Sequence, residues 1–419
     1  MSPEPLRHDR DFRRYWSARV VSIAGTTVTY VALPVLAYEL TGSALVTALV
    51  ATFEALPYLF FGLVAGALAD RWDRRRVMVV ADLAGFVVLA SLPVAQWLGV
   101  LTVPHVLAAA FAVQTVFCFF DAANGGALPR LVGRPRLAAA NSAVWSASSV
   151  LEVAGPAAAG AALVVLSPTG LIALDALTYV AAALLVRSIR RPLSTARDDL
   201  AALSWPWLGA EIRQGLGFLL RHPGVRTMTL IGTCQSMAGG AFVGLWVVWA
   251  DVQLDVRQGD PRLGVLFASW GVGGLVATLL LPRTAARWGA ARVTLAVLPL
   301  SALMGVLTPL ATRWEVAASM TALWGVCYVL VVVNSITYRQ QVTPDDLLSR
   351  VHTCGRLLSF GVGWPVGALL GGVVAEATDP RTGMLAGAVA LLVGVVVAWT
   401  SPLRSLASAP VPEAASSGA

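Results

Sequence analysis

Apolar runs about twenty residues long recur from end to end of this chain, and they constrain its folding more than any other feature. They fall at roughly 16–39, 44–69, 77–98, 103–122, 141–165 and 170–187, then at 227–250, 263–282, 293–311, 316–338, 351–375 and 383–401. A helix that crosses a bilayer needs about 20 such residues. The 419 residues are therefore almost used up by a dozen spans with short loops, which leaves no room for a large extramembrane domain. With 57% hydrophobic and only 13% charged residues, the chain is not a soluble enzyme. The expected fold is an all-α integral membrane protein with twelve transmembrane helices. Residues 1–187 form one six-helix half, 188–226 a linker, 227–401 a second half, and 402–419 a Pro- and Ser-rich disordered tail.

The formal charge of +7 is 30 basic residues, all of them Arg, against 23 acidic ones. In a membrane chain this charge reports topology and not nucleic-acid binding. With the N-terminus inside, Arg257, Arg262, Arg313 and Arg381 fall in outside loops, and the other 26 (30 minus 4) fall at inside loops or helix ends. Both termini are then cytoplasmic, in the cell membrane. In the linker, Trp207, Leu208, Ile212, Leu216, Leu219 and Leu220 recur at helical spacing. This marks an amphipathic helix lying either on the inner membrane face or on the protein's own loops. Cys118, Cys234, Cys327 and Cys354 stand singly, without paired spacing or a nearby histidine cluster, so neither a disulfide framework nor a metal site is indicated. No cofactor is called for.

The two halves repeat. Arg130, Pro135 and Pro156 match Arg339, Pro344 and Pro365 at one common offset of 209 residues (339−130, 344−135, 365−156). The stretch 70–77 pairs with 286–293. Parallel six-span repeats are the plan of a rocker-type secondary transporter with its substrate site between the halves near midplane.

Ionisable residues inside the bilayer are costly and usually face a pathway or a partner. Glu152 is near the middle of span five, where Trp145, Ser148, Ser149, Glu152 and Pro156 share one helical face that reads as a cavity lining. Glu54 is near the middle of span two, beside Pro57 and Tyr58. Burial disfavours a charged carboxyl, so both are candidates for proton exchange, against the alternative of a neutral or paired structural acid. Asp82 is read as an anchor for loop arginines, Arg19 as snorkelling to the headgroups, and Arg356 as awaiting an acidic partner. Gln114 is the mid-span polar residue of span four. Trp145, Trp246, Trp249, Trp270, Trp324 and Trp364 lie within spans. They line a cavity for bulky lipophilic cargo or else face lipid.

The segment Gly66-Ala-Leu-Ala-Asp70-Arg-Trp-Asp-Arg-Arg-Arg76 resembles the signature loop of the major facilitator superfamily. The wider chain is similar to its drug and siderophore efflux branch, through Phe12-Arg-Arg-Tyr-Trp16, Val31-Ala-Leu-Pro34, Leu40-Thr-Gly-Ser43, Ala127-Leu-Pro-Arg130, Ala140-Asn-Ser142, Gly215-Leu-Gly-Phe218 and Arg221-His-Pro223. The resemblance implies a conformational latch in which Asp70 faces the start of span eleven near Arg350 and His352. Gly66 then allows close helix approach, and Asp121 holds Arg71 or Arg74. Gly155-Pro156 resembles the antiporter kink of the superfamily, with alanines where the family has further glycines. Thr26 and Thr27 stand where relatives often carry an acid. The implied function is export of amphipathic small molecules by a monomer exchanging them for protons. A dedicated siderophore or single-product exporter is the alternative, and a non-transporting sensor a more distant one. The absence of any Lys excludes a nucleotide-binding phosphate loop, and with it an ATP-driven pump.

Overall fold

In the computed structural model, residues 6–69, 71–194, 205–257, 259–344 and 347–404 are described. The helices of the first half are α1 (Arg10–Thr41), α2 (Ala44–Ala69), α3 (Arg74–Trp97), α4 (Val103–Val132), α5 (Arg134–Ala162) and α6 (Pro168–Ser188). A connecting helix, α7 (Trp205–Arg221), leads to α8 (Pro223–Leu254), α9 (Pro261–Trp288), α10 (Ala290–Leu307) and α11 (Trp314–Val342). The eleventh span is composite. It comprises α12 (Leu348–Arg356), a π-helical stretch Leu357–Gly363 and α13 (Trp364–Ala377), and α14 (Pro380–Thr400) is the last span. The described residues contain no strand.

Residue chemistry sets the helix ends. Asp9, Asp73, Ser167, Asp260 and Asp379 cap α1, α3, α6, α9 and α14, each side chain accepting a bond from an otherwise orphaned backbone N–H. Proline opens α6, α8, α9 and α14, where its missing donor is harmless. Eleven spans are long and apolar enough to cross a bilayer by composition among the described residues, and α5 is the twelfth. It carries Asn141, Ser142, Ser146, Ser148, Ser149 and Glu152, side chains that a lipid-facing helix would not tolerate.

Each half packs by the same scheme. In the first, α1 lies on α6 and α5, α3 on α6 and α4, and α2 on α4. In the second, α8 lies on α14 and α13, α10 on α14 and α11, and α9 on α11. The seams between halves obey the same symmetry, α2 meeting α13 and α5 meeting α9. Backbones touch at the α5–α9 seam. A Cβ placed on Gly160 would stand 2.2 Å from the Gly264 Cα, so only glycine permits the approach.

The terminus-bearing end is tied together by the motif at the start of α1. Asp9 accepts from Arg136 at the start of α5 (3.2 Å) and from Arg191 beyond α6 (2.7 Å), and Asp11 accepts from the Arg190 and Arg191 backbone N–H groups. Burial alone would push the Asp9 carboxyl up, but the Arg191 bond, the Phe12 N–H and Arg136 bring it below its ordinary value. The Trp16 indole donates to the Ala143 carbonyl, and Tyr15 is buried with its hydroxyl on Asn124.

The amphipathic connector packs on protein. Leu219, flanked by Leu216 and Phe218, clusters with Val351 and Cys354 of α12, and Arg350 donates to Gln214. Its expected apolar side chains Trp207 and Leu208 lie outside the described residues, as does the tail from residue 405. Leu403, within the segment expected to be disordered, is buried.

Candidate functional site

At the end of the bundle opposite the termini the halves are in tight contact. The Tyr38 hydroxyl of α1 donates to Asp251 of α8 (2.8 Å), and Glu376 at the end of α13 accepts from the Ser43 hydroxyl (2.9 Å) and the Leu45 N–H (3.1 Å) at the start of α2. Ala48 of α2 lies against Gly244 and Gly372. Toward the other end lies a cavity of three adjoining lobes that share wall residues, Thr26, Phe117, Asp121 and Tyr58 among them, and two of the lobes are lined from both halves.

The largest lobe, about 460 Å³, is walled by α1, α4 and α5, with Arg19, Ser22, Thr26 and Thr27 facing Asp121, Asn124, Trp145, Ser148 and Glu152. A deeper lobe of about 270 Å³ shares Thr26 and Phe117 with it, and adds Thr29, Tyr30, Glu54, Tyr58, Gln114, Asp175, Tyr179 and Trp364. The third, about 340 Å³, runs along the seam of α2 and α12, with Gly62, Gly66, Cys118, Asp121, His352 and Arg356. Aromatic rings, hydroxyls and carboxyls thus surround a space suited to molecules with both apolar and polar parts.

The structure brings together much of the expected set. Glu54, Glu152, Gln114, Trp145, Arg356 and Trp364 all line these lobes. Trp145 is 68% exposed, consistent with a ring standing free in an open lobe. Ser149 does not line the lobes described, and its neighbour Ser148 does. Gly155 accommodates α1, since a Cβ there would lie 2.0 Å from the Thr27 hydroxyl. Pro156 cannot donate to the Glu152 carbonyl one turn back, and that carbonyl faces Gly271 of α9. The Gly-Pro element therefore sits where α5 passes from the open lobe into the closed seam.

Several expectations need correction. Trp246 and Trp324 are 1% and 2% exposed and form a packed aromatic core of the second half with Phe242, Phe267 and Trp270, so they line none of the lobes, and neither does Trp270. Edge-to-face packing buries more ring area there than a cavity wall would. Arg19 does not snorkel outward. It lines the large lobe with its guanidinium over the Phe120 ring. Asp82 is buried, and one carboxyl oxygen has no hydrogen-bond partner among the described residues, so it anchors no loop arginine through that atom.

Gly66, Arg74 and Asp121 are placed differently from the arrangement the resemblance implies. Asp70 lies outside the described residues. A Cβ on Gly66 would meet nothing within 4 Å, because α2 faces open cavity there and not a neighbouring helix. Arg74 donates to the Gly126 carbonyl (3.0 Å), and Arg71 lines a surface groove beside Trp72. Asp121 stands 4.0 Å from Arg356, across the two halves, and Arg356 also lies over the Tyr58 ring. Asp175 of α6 escaped the sequence reading, although the rule that singled out Glu54 and Glu152 applies to it equally. It is 1% exposed and accepts from Thr29 and Thr178.

Over residues 2–416 the sequence matches the family described as transmembrane secretion effector, a family of major facilitator transporters. The chain belongs to this family. It is 29% identical over 403 residues to the multidrug efflux pump Tap of Mycolicibacterium fortuitum, covering 93% of this chain and 95% of that one. It is 26% identical over 271 residues to macrolide efflux protein A of Streptococcus pyogenes, covering 64% and 65% respectively. Among solved structures, the nucleoside transporter NupG superposes with a TM-score of 0.75 at 11% identity, covering 96% of this chain and all (100%) of that one. A bacterial homologue of the lysosomal transporter Spinster, inward-facing and unoccupied, superposes with a TM-score of 0.72 at 14% identity, covering 98% and 100%. This major facilitator chain is thus an efflux transporter, a multi-pass protein of the cell membrane that moves small molecules, and not an enzyme.

Proposed function

We propose that the chain exports amphipathic, neutral or cationic small molecules in exchange for protons, by rocking its two halves about the central cavity. The observation that carries this reading is a cavity sealed at one end by contacts between the halves and open at the other. Its lining pairs aromatic rings with the carboxyls Glu54, Asp121, Glu152 and Asp175 against two arginines, Arg19 and Arg356. A wall with more acids than bases favours a cation or a neutral polar molecule over an anionic siderophore, and the Trp145 and Trp364 rings suit lipophilic cations.

We place the Arg-rich, terminus-bearing end in the cytoplasm, as the arginine distribution directs. The state described is then loaded from the cytoplasm. Cargo enters between α4, α5 and α12 and meets Glu152 in the largest lobe and Glu54 in the deep one. A carboxyl that binds cargo when ionised and a proton when not lets one site serve both alternately. Opening the far end requires breaking the Tyr38–Asp251 and Glu376 contacts, while the loop around Asp70, Arg71 and Arg74 closes the near end. The halves are bounded at residues 187 and 227, with the connector joining them.

The test is export from proteoliposomes of ethidium, tetraphenylphosphonium and erythromycin under an imposed pH gradient. Glu152→Gln and Glu54→Gln imitate permanently protonated carboxyls. The variant in the coupling residue should lose gradient-driven accumulation and keep exchange of labelled for unlabelled probe. Full accumulation in both variants would remove these residues from coupling, and export by the wild type without any gradient dependence would remove antiport.

A further inference from the structure

The first half holds a polar site that the sequence reading did not single out. We propose that Asp175 is a membrane-embedded proton-binding carboxyl whose protonation state is transmitted to α1 through Thr29. The inference rests on the proton-antiport reading for its role in transport, though not for the titration itself.

The geometry is specific. Asp175 is buried within α6, yet it forms part of the wall of the deep lobe, which Glu54 also lines. One carboxyl oxygen accepts from the Thr29 hydroxyl of α1, and the other from the Thr178 hydroxyl one turn along α6 (2.9 Å). The carboxyl occupies the space that a side chain at Gly25 would need. A Cβ there would stand 2.0 Å from Asp175 Oδ1 and 2.2 Å from Thr178 Oγ1. Asp175 thus joins α6 to α1 directly, against bare α1 backbone.

The charged and titratable groups around it come from every helix packed on this region. Tyr30 and, nearer the terminus-bearing end, Arg19 come from α1, and Asp82 comes from α3, against which Tyr179 of α6 packs at Gly85. Glu54 and Tyr58 face the lobe from α2. No arginine of the described residues forms an ion pair with Asp175, and its two partners are neutral hydroxyls. A lone carboxylate within a membrane bundle is costly, and a proton is the counter-ion that removes the cost.

The chemistry is simple. Water in the deep lobe delivers a proton, an O–H bond forms on one Asp175 oxygen, and the negative charge is neutralised. That oxygen, formerly an acceptor, becomes a donor. When the proton sits on the oxygen facing Thr29, that oxygen gains a donor and becomes a weaker acceptor, so the Thr29 hydroxyl reverses to accept from it or keeps only a weakened bond, and the α1–α6 contact is rebuilt. The same helix lines the largest and the deep lobes through Thr26, Thr27, Thr29 and Tyr30, and ends at the closed gate through Tyr38. Deprotonation restores the first arrangement and returns the proton to water on whichever side the lobe faces.

Infrared difference spectroscopy of the full chain in lipid nanodiscs, between acid and alkaline pH, tests the proposal without any cargo. Asp175→Asn should abolish one component of the protonated-carboxyl C=O stretch that Glu54→Gln and Glu152→Gln leave in place. Thr29→Val, which preserves the fold's volume, should displace the titration of that same component, and it carries the test alone if Asp175→Asn does not insert. A difference spectrum unchanged by either variant overturns the proposal. Ethidium export in proteoliposomes separates the two readings. Wild-type export indifferent to the pH gradient would refute antiport while leaving the Asp175 titration standing.

Discussion

The contacts that seal the end opposite the termini should set the balance between the two states of the transporter. Glu376→Ala removes the carboxylate that accepts from the Ser43 hydroxyl and the Leu45 N–H at the first turn of α2. Hydrogen bonds to a charged group are worth about 1.5–3 kcal/mol when desolvated, but Glu376 is solvent-exposed, so the pair contributes about 1 kcal/mol. An anion at a helix N-terminus adds roughly 0.5 kcal/mol. The sum, about 1.5 kcal/mol, is roughly a tenfold shift toward the state open at this end. Asp251→Asn weakens the Tyr38 bond by about 1 kcal/mol. Both contacts break in the same opening, so the double variant should shift the ratio by about 2.5 kcal/mol, or roughly 70-fold. Spin labels at Thr41 and Thr378, on opposite sides of the seam, report the opening as a longer-distance population by double electron–electron resonance. Asp70→Asn, which weakens the opposite closure implied by the signature loop, should move the same population the other way. If the double variant changes the distance distribution less than twofold, these contacts do not hold the gate and the energetic reasoning is wrong.

Two further outcomes follow from other parts of the molecule. Single cysteines at Arg257 and Arg381 should react with an impermeant reagent from outside the cell and one at Arg74 should not; labelling of Arg74 alone would invert the orientation. Asp9→Asn should cost about 1 kcal/mol in reversible unfolding in SDS-containing micelles at neutral pH, because the half-exposed Arg191 discounts the larger figure for a buried pair. The Asp9 carboxyl is held below its ordinary 3.8, so its ionised form stabilises the fold above that value. The difference between wild type and variant should shrink as the pH falls through the folded-state value, and a difference independent of pH would exclude the ion pairs as its source.

The spans, their number and the six-plus-six repeat were determined by sequence alone. Apolar length and composition are local properties, and a bilayer accepts few other solutions for them. The cavity face of α5 was legible for the same reason. Trp145, Ser148 and Glu152 are three or four residues apart, so they share a face whatever the helix packs against. The position of a residue relative to other helices is not local. A tryptophan in a span can face lipid, a neighbour or the cavity, and only the rotation of α8, α9 and α11 sends Trp246, Trp270 and Trp324 into one aromatic core while α13 turns Trp364 toward the lobe. Arg356 and Asp121 are 235 residues apart (356−121) and on different halves, so their approach depends on which end of the molecule is open. Asp175 shows the limit most clearly. Its sequence surroundings, Ile172-Ala-Leu-Asp175-Ala-Leu-Thr178, announce an apolar span. Its site exists only because α1 brings Thr29 to its oxygen and a bare Gly25 beside its carboxyl, a juxtaposition of residues about 150 positions away that packing alone creates.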